Sequence, residues 1–389
     1  MVRSILNLSY RLITNGLKFQ YLKRTGRPGS IQAVSLEITH HCIAKCIMCN
    51  IWKIPRDVQD LPMDVWLKLL SSELVSDLRE LDVTGGEPFL RDDLLDLFRG
   101  IYRLRTGNLR ALRSIAITTN GLLTERVLNF TEEILRIITG RGLQLVIVCA
   151  MDAIGELHDR IRNFKDAWTR VNRTVEGLTR LRERFPNLII GLKTTILPLN
   201  VGELERIAAY ADSKGLFTII SPCIITDVRY LNPDRAADLI FNQEAKEKII
   251  GFYQGNRFQW SYHAEALINY FRTGVIRKPC TCGFNYFFVR STGQVFLCPL
   301  VGRSPGNIQE KSPKEIIFSE NARRTRRNIG RYPECRKCTE PGLERYALPY
   351  EGFSYLSLLY KMGIRNFLQL HYHMGLDKYI DVLLSKNVS

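Results

Sequence analysis

The first sign of chemistry in the sequence is a group of three closely spaced cysteines. They form a C-x3-C-x2-C pattern directly after an apolar run and are Cys42, Cys46 and Cys49. Three soft sulfur ligands in one short loop favour the binding of a metal. One hypothesis is a structural zinc site, in which His40 or His41 would supply the fourth ligand that closes the zinc shell.

Glycines and polar residues follow the later apolar runs in the same way. Gly85 and Gly86 permit a tight turn and the close approach of a ligand, and Glu87 offers a carboxylate to an ammonium group. Asn120 lies in a Thr-Asn-Gly turn, and the Asp152 carboxylate could accept hydrogen bonds from a ribose. Each turn alone is a weak signal, but their order along the chain indicates one shared site.

The elements that position these residues alternate between strand and helix patterns. Apolar runs of strand length occur at residues 33–38, 81–83, 114–118, 143–150, 188–195 and 217–221. Between them, apolar residues recur at helical spacing, as at Leu94, Leu97, Phe98 and Ile101. This alternation predicts the α/β class, with a parallel sheet curved into a partial (β/α)6 barrel like an incomplete TIM barrel. Function is then expected in the loops at the C-terminal ends of the strands.

A second set of cysteines lies towards the C-terminus, around a predicted β-hairpin formed by residues 284–289 and 294–297. These cysteines are Cys280, Cys282, Cys298, Cys335 and Cys338. The hairpin brings the cysteines at its two ends together, so a small cysteine-containing module of hairpin and helices is expected to follow the barrel. Four cysteines around a hairpin would also suit a zinc ribbon, which is an alternative.

Basic residues surround the C-x2-C pair of this module: Arg323, Arg324, Arg326, Arg327, Arg331, Arg336 and Lys337. They could raise the potential of a negatively charged cluster, or bind an anionic substrate or nucleic acid. The alternative is a basic helix face exposed to solvent.

Composition sets the class of protein. The 389 residues are 45% hydrophobic, enough for a core, and no uninterrupted apolar run of 18 residues or signal peptide is found. Ten cysteines in short-spaced pairs favour metal ligation in a reducing compartment, so a cytoplasmic location is expected. The formal net charge of +16 suggests an anionic partner, surface or substrate.

The predicted segments are a basic amphipathic helix, the partial barrel, a helical connector, the cysteine module and a helical tail, at residues 1–29, 30–225, 226–276, 277–343 and 344–389. The first helix is expected to pack on the barrel, and the tail to cap the barrel or the module. Contact of either with a membrane surface is the alternative, which would suit a lipid-linked substrate. Cys223 is expected to be a small buried residue, with hydrogen-atom donation to a substrate as its alternative role.

The cysteine loop, the Gly-Gly-Glu-Pro and Thr-Thr-Asn-Gly turns, Asp152 and six βα units resemble the radical S-adenosylmethionine (radical SAM) superfamily. The resemblance spans residues 30–225. It implies a [4Fe-4S] cluster on Cys42, Cys46 and Cys49 whose fourth iron binds S-adenosylmethionine. It further implies reductive cleavage of that cofactor to a 5'-deoxyadenosyl radical, which abstracts a substrate hydrogen.

The same resemblance assigns roles around the cofactor. Gly85, Gly86 and Glu87 would hold its amino group, and Asp152 its ribose. The other residues expected near it are Asn120, Lys193, Thr195 and Asn200. Arg160 or Arg162 would pair with its carboxylate, although both could instead be exposed helix arginines. Two positions depart from the family pattern: Met48 replaces a common aromatic residue, and Ala150-Met151-Asp152-Ala153 replaces Ser-x-Asp-Gly.

The C-terminal cysteines resemble the auxiliary-cluster modules called SPASM and, in the shorter form, twitch. This resemblance implies one auxiliary [4Fe-4S] cluster, for which the expected ligands are Cys280, Cys298, Cys335 and Cys338. Cys282 is the alternative to Cys280.

Together these features imply a radical SAM enzyme of oxidoreductase type that acts on a small molecule, sugar or peptide by dehydrogenation or cross-linking. Alternatives are a redox-neutral rearrangement or epimerisation, and modification of a lipid-linked substrate. An external reductant such as flavodoxin or ferredoxin is expected. A hypothesis of another class is a non-catalytic electron-transfer or nucleic-acid-binding protein with metal sites, although nucleic acid is not the favoured partner.

Overall fold

The computed structural model describes residues 2–258, 261–341 and 344–380. One sheet of nine strands runs through this part of the chain in the order β6-β5-β4-β3-β2-β1-β7-β8-β9. The strands are β1 (Ala33–Thr39), β2 (Glu80–Gly85), β3 (Ser114–Thr119), β4 (Gln144–Ala150), β5 (Leu188–Ile196), β6 (Phe217–Pro222), β7 (Tyr286–Val289), β8 (Gln294–Phe296) and β9 (Gly306–Asn307).

The first six strands are parallel and stand in sequence order across the sheet. Such strands are buried on both sides, and their sequences are accordingly apolar and rich in β-branched residues. All seven residues of β1 are buried, and so are five of the seven in β4. The predicted α/β class and the partial barrel of parallel strands are therefore confirmed.

Helices connect these strands, and others follow the barrel. They are α1 (Val2–Thr25), α2 (Met63–Leu70), α3 (Leu94–Leu104), α4 (Thr124–Ile138), α5 (Glu156–Arg162), α6 (Ala167–Arg184), α7 (Leu204–Ser213), α8 (Gln243–Gln254), α9 (Tyr262–Thr273), α10 (Pro313–Phe318), α11 (Glu320–Asn328), α12 (Glu344–Glu351) and α13 (Phe353–His373). Helix α3 shows why they pack on the sheet, since its apolar residues at helical spacing are all fully buried: Leu94, Leu97, Phe98 and Ile101.

The C-terminal hairpin is joined to the barrel sheet. Strand β7 pairs in parallel with β1, from Ala33 opposite Tyr286 to Leu36 opposite Val289. Strand β8 then pairs antiparallel with β7, and the short strand β9, which was not predicted, pairs antiparallel with β8. The hairpin thus covers the edge of β1 that an isolated six-stranded barrel would leave open.

Helix α1 was expected to pack on the barrel, but it packs mainly against α11, α12 and α13. Its buried face includes Leu8 and Leu12, which belong to one apolar cluster with residues of α12 and α13. Phe19 on the same face makes an edge-to-face contact with Phe284, just before β7, with ring centroids 5.2 Å apart. Helix α1 therefore forms one layer with α12 and α13.

The division of the chain into five segments stays a prediction. Met1, residues 259–260, the junction at residues 342–343 and residues 381–389 of the tail lie outside the described residues. Among the helices that the structure describes, none combines the length and the apolar character needed to cross a bilayer.

Candidate active site

The loops at the C-terminal ends of the parallel strands surround one cavity, here called the strand-end cavity. Nine of the predicted cofactor and cluster residues line it: Cys42, Cys46, Cys49, Gly85, Gly86, Asn120, Arg162, Lys193 and Thr195. The three cysteines lie in the loop after β1, and the two glycines lie at the end of β2. Asn120 follows β3, Arg162 ends α5, and Lys193 and Thr195 belong to β5. The fold therefore brings together residues that are up to 153 positions apart.

The three cysteines of the first loop are free thiols and are half-buried. Burial, followed by repulsion from the Cys46 thiolate, raises the pKa of both Cys42 and Cys49 to about 12. Burial also raises the pKa of Cys46, although the Arg162 guanidinium opposes this shift. Three such thiols are neutral in the metal-free protein, so a metal that binds all three must displace their protons.

Two side chains direct hydrogen-bond donors at these sulfur atoms. Asn120 Nδ2 lies 3.8 Å from Cys42 Sγ, and Arg162 Nη1 lies 3.6 Å from Cys46 Sγ. Donors of this kind stabilise the negative charge of ligated sulfur. Three converging thiols with donors beside two of them fit an iron-sulfur cluster.

The two glycines of the loop after β2 pack directly on the cysteine loop. A Cβ atom at Gly85 would lie 2.1 Å from the Thr39 carbonyl oxygen, and one at Gly86 would lie 2.2 Å from the His41 carbonyl oxygen. Gly85 also has φ of +144°, a conformation that side-chain-bearing residues rarely adopt. Glycine is therefore required here by contact between two loops as well as by the cavity.

Glu87 was expected to face an ammonium group, but its carboxylate does not line the strand-end cavity. It is fully buried and accepts hydrogen bonds from Thr119 Oγ1 at 2.9 Å and from the Asn120 and Phe89 backbone N–H groups at 2.8 and 3.2 Å. Burial raises the pKa of Glu87 to about 7, with these hydrogen bonds opposing the shift. Glu87 therefore braces the loop that presents Asn120.

Asp152 was expected to contact a ribose, and in the structure it is not among the residues that line the cavity. It is fully buried, with Oδ2 2.6 Å from Arg162 Nη2 and Oδ1 accepting a hydrogen bond from the Thr195 backbone N–H at 2.8 Å. Burial disfavours the charged guanidinium, but the Asp152 carboxylate together with the Cys46 and Cys42 sulfur atoms raises the pKa of Arg162 above its ordinary value. Burial raises the pKa of Asp152 and the Arg162 guanidinium opposes this shift, so the pair holds Arg162 beside Cys46.

The two arginines of α5, Arg160 and Arg162, differ in their exposure to solvent. Arg160 is exposed, as expected for a surface residue, but Arg162 is 6% exposed, so the interpretation of Arg162 as an exposed helix arginine was wrong. Spacing alone could not separate them, because the shortness of α5 and its position against Asp152 decide which arginine points inwards. His158, which sequence analysis did not assign, also belongs to this layer, since its Nδ1 accepts a hydrogen bond from the Asp152 backbone N–H.

Of the remaining predicted residues, two line the cavity and one is buried behind it, where it holds the backbone. Lys193 and Thr195 line the cavity from β5, whereas Asn200 is fully buried and donates hydrogen bonds to the carbonyl oxygens of Asp152 and Thr195. Cys223, at the end of β6, also lines the cavity, and burial raises the pKa of its thiol to about 12. Cys223 was expected to be a small buried residue, and the structure shows it half-buried at the cavity wall.

Three cavity residues were missed because they lie outside the predicted βα units: Arg229, Tyr230 and Phe288. Arg229 forms an ion pair with Glu340 at 3.2 Å, and Phe288 is a residue of β7. No local signal marks either position, since both reach the cavity through long-range packing of the connector and the hairpin.

The histidines beside the cysteine loop contact a carboxylate. His40 Nδ1 lies 2.6 Å from Asp60 Oδ1, and His41 Nε2 lies 3.8 Å from Asp60 Oδ2. His40 Nδ1 also lies 3.2 Å from Ser291 Oγ. These contacts engage both histidines with Asp60, which does not support a zinc site that uses one of them as its fourth ligand.

The C-terminal cysteines form a second group. Interaction with the Cys282 thiol lowers the pKa of Cys280 to about 7, and interactions with Cys280 and Cys298 raise the pKa of Cys282. Cys280 and Cys298 in turn raise the pKa of Cys335 and Cys338, after the larger effect of burial. Five thiols therefore converge, and the choice between Cys280 and Cys282 as a ligand stays open.

The basic residues near the C-terminal cysteines differ in their exposure to solvent. Most are exposed, as expected for a basic helix face, but Arg326 is 1% exposed. Its Nε donates to the Gly26 carbonyl oxygen at 2.7 Å, so it ties α11 to the end of α1. Arg326 is thus a buried structural residue, and the solvent-exposed interpretation was wrong for it.

Comparison with known families agrees with both sites. The profile of the radical SAM superfamily matches residues 36–211, and an iron-sulfur cluster-binding domain, SPASM, matches residues 280–339. The chain is a radical SAM protein with a SPASM domain. A radical SAM protein uses a [4Fe-4S] cluster and S-adenosylmethionine, and SPASM adds an iron-sulfur site, so the zinc alternatives are not supported.

The radical SAM chain resembles several curated proteins. It is 21% identical to the sporulation killing factor maturation protein SkfB of Bacillus subtilis over 315 residues, which are 78% of this chain and 69% of SkfB. It is 31% identical to the PqqA peptide cyclase of Bradyrhizobium diazoefficiens over 136 residues, which are 35% of this chain and 32% of that protein. The alignments with probable GTP 3',8-cyclases of Saccharolobus islandicus also cover only 30% of those proteins.

Solved structures share the fold. Streptococcus suis SuiB bound to the precursor peptide SuiA superposes with a TM-score of 0.54 at 12% identity, over 79% of this chain and 69% of SuiB. Native anSMEcpe with bound AdoMet superposes with a TM-score of 0.55 at 16% identity, over 88% of this chain and 99% of that chain.

Proposed function

We propose that this radical SAM enzyme cleaves S-adenosylmethionine reductively and abstracts a hydrogen atom from a peptide, for a net oxidation such as cross-linking or dehydrogenation. The proposal rests on the strand-end cavity, in which three free thiols lie with a glycine turn and three cationic side chains, Arg162, Lys193 and Arg229. These groups are complementary to an iron-sulfur cluster beside an amino acid that carries a carboxylate.

The residues of the cavity have separable tasks. When bound, the cluster and S-adenosylmethionine supply the electron transfer and the 5'-deoxyadenosyl radical. Arg162, held by Asp152, would present a rigid guanidinium to the methionine carboxylate, and Gly86 lets the backbone approach it closely. Apolar side chains such as Met48, Ile51 and Phe288 line the same cavity and would keep water from a reactive carbon radical.

A peptide substrate is supported by the names of the relatives. SkfB is a maturation protein, the PqqA enzyme is a peptide cyclase, and SuiB was solved with a precursor peptide. A net oxidation is supported by the second cysteine group, because a substrate radical that is oxidised needs an electron acceptor and a SPASM cluster can serve as one. We also propose an external reductant of the ferredoxin or flavodoxin type.

Cleavage of the cofactor is tested on anaerobically reconstituted protein with S-adenosylmethionine and dithionite. The wild type is expected to form 5'-deoxyadenosine, and Cys46→Ala is expected to abolish it, because the cluster would lose one of three ligands. Cys149→Ala is the matched control, since Cys149 is buried in the core and does not line the cavity. Absence of 5'-deoxyadenosine from an iron-loaded wild type would overturn the proposal.

The substrate class is tested by isotope transfer. Cells of the source organism are grown in heavy water, and their extract is divided into a peptide fraction and a small-molecule fraction. Deuterium in 5'-deoxyadenosine is expected with the peptide fraction, and pretreatment of that fraction with a broad protease should remove it. Transfer only from the small-molecule fraction would contradict a peptide substrate while leaving cofactor cleavage intact.

A second candidate function is redox-neutral epimerisation, which the position of Cys223 favours. Its thiol lines the cavity, and burial raises its pKa to about 12, so it is neutral and carries a hydrogen atom that a substrate radical could take. The mass of the product distinguishes the two reactions. Oxidation removes two hydrogens from the substrate, whereas epimerisation in heavy water replaces one hydrogen with one deuterium, which Cys223→Ala should prevent.

A further inference from the structure

Helix α1 exposes a row of large apolar side chains that nothing in the described structure covers. Its members are Leu6, Tyr10, Ile13, Leu17 and Tyr21, and between 41% and 67% of each side chain is exposed. The spacings of four, three, four and four residues put them on one face of the helix, because each step advances the helix by about one turn. This row is called the exposed stripe.

The exposed stripe is distinct from the face that holds the helix to the protein. That other face carries Leu8, Leu12, Phe19 and Leu22, which are all buried. Leu8 and Leu12 pack with α12 and α13, and Phe19 packs on Phe284. The helix therefore has two apolar faces, and the fold needs only one of them.

The charge around the stripe has one sign. Residues 1–36 contain no Asp or Glu, while α1 contains five basic residues. Lys18, Lys23 and Arg24 are exposed, and so is Arg27 just after the helix, whose Nη1 donates to the Tyr21 hydroxyl at 3.4 Å. The stripe itself ends in a tyrosine, a residue suited to the boundary between water and hydrocarbon.

We propose that α1 docks the enzyme on an anionic lipid surface, with the exposed stripe inserted among the headgroups and the basic side chains paired with lipid phosphates. A second copy of the chain fits the stripe less well, because pairing two copies of α1 would bring together like charges with no acidic residue on either helix. Nucleic acid would be attracted by the charge, but it has no use for a continuous apolar row. This inference does not depend on the proposed chemistry.

Vesicle flotation of the full-length, cluster-loaded protein tests the inference. Vesicles of three parts phosphatidylcholine to one part phosphatidylglycerol are expected to carry the protein at low salt, whereas phosphatidylcholine vesicles are not. The double variant Ile13→Asn with Leu17→Asn should weaken binding by about tenfold or more, since two inserted side chains are lost. Lys18→Gln with Arg24→Gln should weaken it and reduce its dependence on salt.

The matched control is Ile240→Asn with Phe318→Asn. These residues are 70% and 58% exposed and lie outside α1, so this variant should float like the wild type. Circular dichroism of all variants checks that the fold is kept, which is expected because the stripe makes no core contacts.

Three results would overturn the inference. One is a wild type that does not float with the anionic vesicles. Another is flotation of the Ile13/Leu17 variant at wild-type strength, which would mean attraction by charge alone. The third is a dimer, measured by light scattering, that this variant dissociates while no form of the protein binds vesicles.

Discussion

Arg162 connects the cluster loop to the interior of the barrel. Its Nη1 lies beside Cys46 Sγ and its Nη2 beside Asp152 Oδ2, while Asp152 also accepts the Thr195 N–H. The strand tips of β4 and β5 therefore hold the arginine that faces the cysteine loop. Asp152 acts here as a positioning residue.

We expect Arg162→Met to destabilise the metal-free protein by about 3–5 kcal/mol, because it leaves the buried Asp152 carboxylate without its partner. Adding Asp152→Asn should recover part of this loss. Urea unfolding measures the free energy of unfolding of the single and the double variant. Arg160→Met is the control on the same helix, where an exposed side chain should change the free energy of unfolding by less than about 0.5 kcal/mol. Equal costs for the two arginines would contradict the pairing.

The raised pKa of Glu87 predicts an unusual dependence of the free energy of unfolding on pH. Burial raises its pKa from 4.5 to about 7 in the folded protein, so the folded state binds the proton more tightly than the unfolded state. The stabilisation from this group is complete below pH 4.5 and is lost as the pH rises to about 7, a loss of about 3 kcal/mol.

The measurement compares Glu87→Gln with the wild type in the metal-free state across this pH range. Glutamine does not titrate, so the wild type should lose stability relative to the variant as the pH rises. A constant difference between the two proteins would show that the Glu87 carboxyl keeps an ordinary pKa.

At the scale of elements, the turn after β2 and the loop after β1 must be considered together. Gly86 N–H donates to the Thr39 carbonyl oxygen at 2.8 Å, and Glu87 N–H donates to the His41 carbonyl oxygen at 2.8 Å. The glycine turn thus sets the path of the chain just before Cys42. Sequence spacing alone indicated that both loops belong to one site, and the reason for the glycines became visible only from this contact.

We expect Gly86→Ala to reduce iron loading of the first site, because its Cβ would lie 2.2 Å from the His41 carbonyl oxygen and push the cysteine loop away. Such overpacking costs about 1–3 kcal/mol. Iron content per chain and the rate of 5'-deoxyadenosine formation measure the effect. Gly202→Ala is the control, since no atom lies within 4 Å of a Cβ there, and full iron loading of Gly86→Ala would refute the expectation.

At the scale of the whole molecule, the tail closes the end of the barrel opposite to the cavity. Glu80 at the start of β2 lies 3.6 Å from Arg345 Nη1 and 3.4 Å from Lys378 Nζ, and it accepts a hydrogen bond from the Tyr379 hydroxyl. Burial favours its neutral form, but Arg345 and Lys378 outweigh burial and lower the pKa of Glu80 to about 2.

We expect Glu80→Gln to destabilise the protein by about 3 kcal/mol at neutral pH, since the lowered pKa corresponds to that free energy. The contribution is complete above pH 4.5 and is lost as the pH falls towards 2, so the variant and the wild type should converge in acid. Guanidinium unfolding at several pH values measures this. A gap between variant and wild type that does not narrow in acid would argue against the Glu80 ion pairs. The sign is opposite to that of Glu87, which makes each variant a check on the other.

Local sequence patterns were sufficient to predict the strands and helices of the barrel and the loops that carry the first three cysteines and the glycine turn. Short apolar runs and helical spacing predicted the six parallel strands and the helices between them, because burial in a sheet or on one helix face leaves a pattern in consecutive residues. The C-x3-C-x2-C spacing and the glycine turn determined which loops meet, because parallel strands end on the same side.

Tertiary structure alone decided which way each side chain points and which distant segments join. Backbone N–H groups at the ends of β3 and β5 donate to the carboxylates of Glu87 and Asp152, which do not line the cavity. The Asp152 carboxylate in turn holds the Arg162 guanidinium. The pairing of β7 with β1 joins residues about 250 positions apart. No local pattern encodes such contacts, since they depend on the packing of the complete chain.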